Sequence, residues 1–291
     1  MNAPIHIILP VHNRVRQTAG FVDSLLAQSD RAFRVLLVDD GCTDDTVAMV
    51  TTRLADVDVI RGDGNLWWAA SVQKGIDRLV AQGVGGDAIV LITNDDTTFA
   101  GDFLANARTW IDAHPRSMLQ AVPVDPATGE ALDHGIVIDW PRLGMSPAGR
   151  DEEIDCLATR GLFARLTDVR AAGGFRPRRL PHYLSDYEFT IRAKRHGIRL
   201  ATSDDVRIIV SRETTGIRST KALPLGPFLR VAFSKRHSFN PLYFSTFVLL
   251  AASPRHMPLG LLRVWAGFCL SLLRSARISL SRASGDDAER Q

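Results

Sequence analysis

The sequence predicts an α/β fold with a mostly parallel central sheet flanked by helices, followed by a C-terminal helical extension. Two observations carry this prediction. Short uncharged runs rich in β-branched residues alternate with segments of helical apolar spacing, and polar loops follow the runs. The predicted strands cover residues 6–10, 34–38, 57–60, 87–92, 119–124 and 161–165. The predicted helices cover residues 18–28, 66–82, 102–114, 167–171 and 185–196, and one more begins near residue 45.

The first two strands each end in a loop of polar residues. Pro10 ends the first apolar run, and the loop of Val11, His12, Asn13 and Arg14 leads into a helix whose apolar residues repeat at helical spacing. The second strand runs into the acidic turn 39–44, and a helix follows. Strand–helix–strand order predicts parallel strands joined by crossover helices.

A glycine turn and a tryptophan pair follow the short third strand. The turn 61–65 is rich in residues that accept positive φ angles, and it ends with Asn65. Trp67 and Trp68 then open a helix. The pair either fills the core or forms a wall for a flat ring, since aromatic faces suit bases and sugars. Packing is favoured for at least one of the two.

The stretch from Ile92 to Thr97 holds two adjacent carboxylates at the end of a buried strand. Asp95 and Asp96 repel each other unless a cation or a hydrogen-bond donor offsets their charges. Mg²⁺ often couples such carboxylates to substrate phosphates, and ligands of open α/β sheets bind beyond the carboxyl ends of the strands. The stretch indicates a metal–diphosphate site or, equally, a solvated turn stabilised by local hydrogen bonds.

The chain beyond this stretch is less regular. Pro115 stops the helix that begins near residue 102, and a strand follows. Residues 125–156 are rich in proline and glycine, with an antiparallel strand expected over 135–140. Loops of this length are often functional or mobile.

A second acidic cluster opens the predicted helix 185–196. Ser185 and Glu188 have the spacing of a capping box, in which the serine caps the helix and the glutamate reaches back. Asp186 is only partly explained by capping. A carboxylate at a helix N-terminus is expected to keep a low pKa and to remain a weak proton acceptor at neutral pH.

The composition is that of an ordinary globular protein of 291 residues, with 45% hydrophobic and 23% charged residues, which is enough for one large domain or two small ones. The three cysteines are widely spaced, which argues against a disulfide framework or a zinc site and fits a reducing compartment. The N-terminus lacks the basic region and long apolar core of a signal peptide.

The charge is divided unevenly along the chain. Residues 1–213 carry 24 basic and 29 acidic residues, whereas residues 214–282 carry 10 basic residues and no acidic ones. Aromatic residues alternate with these positive charges. The extension therefore suits helices lying at an anionic membrane surface, or helices that pack on the preceding domain or a second subunit with a solvated basic face. No module of a nucleic-acid-binding protein is present.

Four pieces occur in order: Pro10 to Asn13, the acidic turn 38–44, Asn94 to Thr97, and Gly173 to Phe175 followed by residues 185–189. Together they resemble the family 2 inverting glycosyltransferases of the GT-A fold, over residues 4–205. Residues 64–68 and 94–97 also resemble rhamnosyltransferase-like members. The resemblance implies a catalytic domain over 1–215, with a nucleotide-binding half over 1–100 and an acceptor half over 101–215. The extension 216–282 and a disordered tail 283–291 follow.

The resemblance also implies roles for individual residues. Asp186 matches the catalytic base, and Glu188 would orient that base or bind the acceptor. Asp96 would bind Mg²⁺ or Mn²⁺, while Asp95 would lie near the ribose or sugar. Asp40 would bind the uracil or thymine imide. The other expected nucleotide-sugar contacts are Pro10, His12, Asn13, Asn65, Trp67 and Trp68.

One departure from the family pattern concerns the metal. Many relatives carry a histidine after the base helix that also binds it, and residues 206–212 contain none. Arg212 is a candidate to meet the diphosphate directly, because its fork suits phosphate, or it is a surface residue. Residues 214–216 are a candidate flexible lid.

The sequence thus predicts a cytoplasmic, inverting, metal-dependent transferase, peripheral at the inner face of the plasma membrane. It would move a sugar from a UDP- or dTDP-linked donor to a glycan or lipid-linked acceptor in cell-surface polysaccharide synthesis. No nucleic-acid partner is expected, and a homo-oligomer is left open. The alternatives are an inactive nucleotide- or glycan-binding protein of the same fold and a sugar-phosphate nucleotidyltransferase. The latter would be expected to show a glycine-rich phosphate loop near the N-terminus, which residues 10–14 lack.

Overall fold

The computed structural model describes residues 2–150, 152–210, 223–235, 237 and 240–288, with side chains described as far as residue 280. The chain divides into two compact units. The first comprises Met1–Ile138, Met145–Pro181 and Ser185–Thr215, and the second comprises Asp139–Gly144, His182–Leu184 and Gly216–Gln291.

The strands are β1 (Ile5–Val11), β2 (Phe33–Asp39), β3 (Val57–Arg61), β4 (Ile89–Ile92), β5 (Thr97–Thr98), β6 (Ser117–Val124), β7 (Ile136–Asp139), β8 (Gly144–Pro147), β9 (Leu162–Arg165) and β10 (Arg199–Val210). The helices are α1 (Val15–Leu26), α2 (Thr46–Arg53), α3 (Trp67–Ala81), α4 (Phe103–Ala113), α5 (Leu166–Ala171), α6 (Ser185–Arg195), α7 (Leu225–Ala232), α8 (Pro241–Ala251) and α9 (Met257–Ala288). The predicted elements of the first unit are present within a few residues of their expected bounds.

The large sheet of the first unit has the order β3-β2-β1-β4-β9-β6-β10-β5, and β7 pairs with β8 in a small separate sheet. Four of the seven pairings described in the large sheet are parallel, so the predicted mostly parallel α/β sheet is confirmed. Strand β9 is antiparallel to both of its neighbours, and β5 is antiparallel to β10.

The sheet is buried on both faces, and alternation along each strand divides its side chains between two cores. In β1, Ile7 and Leu9 belong to the core on one face, while Ile8 belongs to the core on the other. In β4, Leu91 and Ile92 divide in the same way. Burial on both faces explains why these strands are continuous apolar runs rather than alternating ones.

Strand β10 has no counterpart among the predicted strands. It pairs with β6, and its register shifts between Ser203 and Arg207. Polar residues 202–205 at this irregularity precede the apolar alternation of Val206, Ile208 and Val210, so the sequence shows no apolar run over the whole strand.

The second unit is helical. The side chain of Asn240 accepts hydrogen bonds from the backbone N–H groups of Leu242 and Tyr243, and Pro241 occupies the first turn, which together fix the start of α8. Helix α9 packs against α7 and α8. It continues to Ala288, so the first six residues of the predicted disordered tail are helical, and residues 289–291 lie outside the described part of the chain.

Candidate functional site

The acidic pair at the end of β4 is bridged by one arginine. The guanidinium of Arg14 donates from Nη1 to Asp95 Oδ1 at 3.0 Å and from Nη2 to Asp96 Oδ2 at 2.8 Å. Strand β1 lies between β2 and β4, so the loop that follows it reaches both neighbouring strand ends. Arg14 therefore supplies the positive charge that two adjacent carboxylates require.

Asp95 is the more enclosed member of the pair, with only 3% of its surface exposed. The hydroxyl of Thr18 donates to its second oxygen at 3.1 Å. Burial nevertheless raises the pKa of Asp95 to about 6, and the nearby charge of Asp96 acts in the same direction, while Arg14 opposes both. The solvated-turn interpretation does not fit a carboxylate this enclosed.

Asp96 retains one oxygen suited to a cation. Its Oδ2 pairs with Arg14, and Oδ1 makes no hydrogen bond with any residue that the structure describes. No cluster of three or more histidine, cysteine or acidic side chains suited to a metal occurs among the described residues. The residues therefore fit a divalent ion held by one carboxylate together with substrate phosphates and water, as Mg²⁺ often is, and not an all-protein cage.

Asp40 holds the start of α3. Its Oδ1 and Oδ2 accept hydrogen bonds from the backbone N–H groups of Leu66 and Trp67 at 3.0 and 3.1 Å. Gly62 allows this approach, because a Cβ there would lie 2.8 Å from Asp40 Oδ1. Each carboxylate oxygen has two lone pairs, so the side chain can still accept a hydrogen bond from an imide N–H.

The loop after β1 also contacts the end of β2. His12 Nδ1 lies 2.6 Å from the backbone carbonyl oxygen of Asp40, and it must donate, since a carbonyl only accepts. The residue is exposed, and Nε2 of the ring makes no hydrogen bond with a described residue, so this atom is available to a ligand. Asn13 has a left-handed φ of 51°, and its Oδ1 accepts hydrogen bonds from Thr43 and Asp44. Asn13 therefore shapes the loop.

The tryptophan pair connects Asp40 to the surroundings of the second acidic cluster. Trp68 packs on the core and donates from Nε1 to the hydroxyl of Thr159 at 3.1 Å. Thr159 lies just before β9, whose antiparallel pairing with β4 brings it to the carboxyl end of that strand. The packing interpretation thus holds for Trp68. Trp67 has a left-handed φ of 59°, a strain that clusters at functional sites.

Asp186 lies in the first turn of α6 beside Thr159. Burial raises its pKa to about 6, although the backbone N–H groups of Tyr187, Asp186 and Thr159 and the charge of Arg160 lower it. The expected low pKa is therefore wrong, because loss of hydration outweighs the helix N-terminus. At neutral pH the group is ionised and a stronger base than an ordinary aspartate.

Glu188 has a different environment from Asp186. It is 2% exposed, and Arg192 binds both of its oxygens at 2.9 Å while Arg176 donates to Oε1 at 3.1 Å. Among the described residues these two arginines are its partners, so the capping-box contact with Ser185 is not formed. This pairing favours a structural role over the predicted catalytic one.

Residues 6–150, about half of the chain, match the sequence model described as glycosyl transferase family 2. The chain belongs to glycosyl transferase family 2. No curated protein matches the chain.

Solved structures share the GT-A fold with this family 2 chain. S. aureus TarS matches with a TM-score of 0.58 and 17% identity over 92% of this chain, which spans about half (54%) of TarS. TarS 1–349 in complex with UDP-GlcNAc matches with a TM-score of 0.59 and 15% identity, covering 97% of this chain and 92% of that one. The mannosyltransferase PcManGT from Pyrobaculum calidifontis, in complex with GDP-Man and Mn²⁺, matches with a TM-score of 0.54 and 17% identity over 96% and 88%.

The family 2 site brings together some of the predicted residues and leaves others aside. Hydrogen bonds connect Asp40 to the tryptophan pair and, through Thr159, to the surroundings of Asp186. Pro10 lies in β1 opposite Val38, and the exposed Asn65 donates its backbone N–H to Asp63 at 2.9 Å. Arg212 and the predicted lid 214–216 lie outside the described residues.

The sequence interpretation missed several residues of the site. For Arg14 and Thr18 the only signal in the sequence was indirect: the acidic pair requires a cation or a hydrogen-bond donor beside it. Arg192 was signalled by its spacing of four from Glu188, the separation at which helical ion pairs form. Thr159 and Arg160 precede a predicted strand and carry no local signal, because only the antiparallel insertion of β9 brings them to this edge.

Proposed function

We propose that this chain is an inverting, metal-dependent glycosyltransferase that uses a UDP- or dTDP-linked sugar. One observation carries the proposal: the loop after β1 contacts the ends of β2 and β4 at once. His12 donates to the backbone of Asp40, and Arg14 bridges the acidic pair. A base-binding carboxylate and a diphosphate-binding pair thereby share one edge of the sheet, where ligands of such sheets bind.

In the proposed reaction, Asp186 removes the proton from an acceptor hydroxyl. The oxygen of that hydroxyl forms a bond to the anomeric carbon from the face opposite the diphosphate, and the bond from that carbon to the diphosphate oxygen breaks. The configuration inverts and no covalent enzyme intermediate forms. A carboxylate with a pKa near 6 is ionised at neutral pH yet basic enough for this transfer.

The leaving nucleoside diphosphate gains negative charge as the bond breaks. Asp96 would hold the divalent ion through its free oxygen, and the ion, when bound, would stabilise this charge as a Lewis acid. Arg14 offsets the repulsion within the acidic pair, so it occupies the place of a cation until the ion binds. Mn²⁺ in the PcManGT complex supports metal use in a chain of the same fold.

The proposed acceptor is a glycan or glycolipid of cell-surface polysaccharide synthesis, and the proposed location is the cytoplasm, peripheral at the inner membrane face. The basic second unit supports this location. The finer resemblance to rhamnosyltransferase-like members stays a prediction.

The test is calorimetric titration of the folded protein with UDP, dTDP and GDP and their sugar conjugates, with and without Mn²⁺. We expect metal-dependent binding of the uracil or thymine series. Asp40→Asn should weaken that binding, whereas Asp63→Asn in the neighbouring exposed loop should not. Binding of GDP alone would contradict the role of Asp40, and binding of none would favour the inactive member of the fold.

A further inference from the structure

The second unit contains an open cavity of about 430 Å³. Helices α7, α8 and α9 contribute Phe228, Phe244 and Phe268 to its wall, and Phe228 stacks on Phe268 with ring centroids 5.8 Å apart. Arginine side chains also line it: Arg142, Arg263 and Arg274. The cavity therefore combines an aromatic wall with positive charge.

Helix α9 forms one side of the cavity, and four of the lining residues form a stripe along one face of the helix. Arg263, Gly267, Ser271 and Arg274 recur at intervals of four, four and three, so they share one face of the helix. A Cβ at Gly267 would meet no atom within 4 Å. The two small residues thus leave open space between two arginines that are separated by about 16 Å along the helix.

The charge of the cavity is only partly neutralised. Arg142 donates to Asp139 at 3.0 Å, and the charge of Arg263 helps to lower the pKa of that same aspartate. Arg274 forms no ion pair within the described part of the chain, and both Arg263 and Arg274 are exposed. Three arginines against one carboxylate leave a site suited to an anion.

Exposed leucines flank this cavity. On α9, Leu262, Leu270 and Leu273 are 66%, 57% and 59% exposed, and they lie roughly a quarter turn around the helix from the arginine stripe. Residues Met257–Leu280 are also long and apolar enough to cross a membrane by length and composition. Rows of exposed leucine mark an interaction surface.

We infer that this cavity binds the phosphate headgroup of an anionic membrane lipid, while the flanking leucines enter the acyl region. Arginine suits phosphate oxygens through paired hydrogen bonds. An aromatic wall suits the apolar part just below the headgroup. Because Arg263 and Arg274 divide the apolar stretch, α9 lies along the surface in this arrangement instead of crossing the bilayer.

The test is flotation of the full chain with phosphatidylcholine vesicles, with and without phosphatidic acid. We expect binding to the phosphatidic acid vesicles and a loss of about 25-fold for the double variant Arg263→Gln/Arg274→Gln, at about fivefold per basic residue. The control variant Arg230→Gln/Arg255→Gln removes the same charge from exposed positions that do not line the cavity. Equal losses in the two variants would overturn the inference, because binding would then depend on the overall positive charge and not on the cavity.

A second variant separates shape from charge. Gly267→Gln keeps every arginine and fills the cavity with a polar side chain. It should lose the preference for phosphatidic acid as the arginine pair does, with the helical content unchanged by circular dichroism. Retained preference in a folded Gly267→Gln protein would overturn the inference, as would resistance of the bound protein to alkaline extraction, which marks a spanning helix.

A titration in solution distinguishes a lipid-binding site from a site for free phosphate. Short-chain phosphatidic acid should bind at least tenfold more tightly than inorganic phosphate in calorimetry, and equal binding would contradict a lipid site. The inference is independent of sugar transfer. Asp186→Asn should float with vesicles as the unaltered chain does, so failure here and failure of the proposed transferase are distinguishable.

Discussion

The two acidic clusters of the site neutralise their charges in opposite ways. Asp95 and Asp96 share a single arginine, and each keeps part of its hydrogen-bonding capacity. In the second cluster, Glu188 takes two arginines and Asp186 takes none directly. The first arrangement leaves one oxygen of Asp96 for a cation, whereas the second separates a fully paired carboxylate from one with no direct ion pair.

This difference indicates which carboxylate to test for its effect on stability and which for its effect on turnover. Full pairing with the buried Arg192 and the partly exposed Arg176 makes Glu188 matter for the free energy of unfolding. Poor hydration without a direct ion pair makes Asp186 the candidate to test for the proposed proton transfer. Two acids of equal charge in one helical turn thus have different surroundings, because only one of them is paired with arginines.

The largest effect is expected for Asp186→Asn. Removing a general base should lower kcat by about 10²- to 10⁴-fold while leaving donor affinity nearly unchanged. Donor titration by calorimetry and a product assay on the same sample measure the two quantities. The exposed Asp102→Asn serves as the control. Equal loss of affinity and turnover would assign Asp186 to donor binding instead.

Glu188→Ala should reduce the free energy of unfolding by about 3–5 kcal/mol, because Arg192 would lose its buried carboxylate. Denaturant unfolding of this variant, of Arg192→Ala and of the double variant gives the coupling energy. We expect the double variant to be less destabilised than the sum of the single changes. Normal stability with lost turnover would restore the catalytic role of Glu188 and break the comparison.

The pH dependence should distinguish Asp186 from an ordinary aspartate. Because its pKa is raised to about 6, kcat/KM should fall about tenfold per pH unit below 6 instead of below 4. Between pH 3.8, the ordinary pKa of aspartate, and about pH 6, the folded state keeps a proton that the unfolded state has released. The contribution of this group to stability therefore falls as pH rises through that window. Asp186→Asn should remove this fall in unfolding measurements, and an unchanged profile would disprove the assignment.

Asp96→Ala should abolish the Mn²⁺ dependence of donor binding, because the variant lacks the carboxylate proposed to hold the ion. Donor titration with and without Mn²⁺ measures this.

The smallest effects are expected at the shared arginine. Arg14→Met leaves two carboxylates without a counter-charge, so it should strengthen Mn²⁺ binding by about tenfold or less and lower the melting temperature by a few degrees. Direct titration of Mn²⁺ without nucleotide measures this. Weaker Mn²⁺ binding in Arg14→Met would show that Arg14 organises the cation site and does not compete for it.

The sequence by itself determined the order of strands and helices, the polar strand ends and the start of α6. These features are local: apolar periodicity, proline and acidic turns act within a few residues. It also singled out Asp40, Asp95, Asp96 and Asp186 through an ordered resemblance.

Only the tertiary structure decided which groups neutralise these acids. Arg14 lies 81 residues before Asp95, and Thr159 lies 91 residues after Trp68, so no local pattern records either contact. The raised pKa of Asp186 also depends on residues that fold over it from other elements. Charge pairing and burial depend on distances through space. Those distances are set only when the sheet forms and brings its strand ends together.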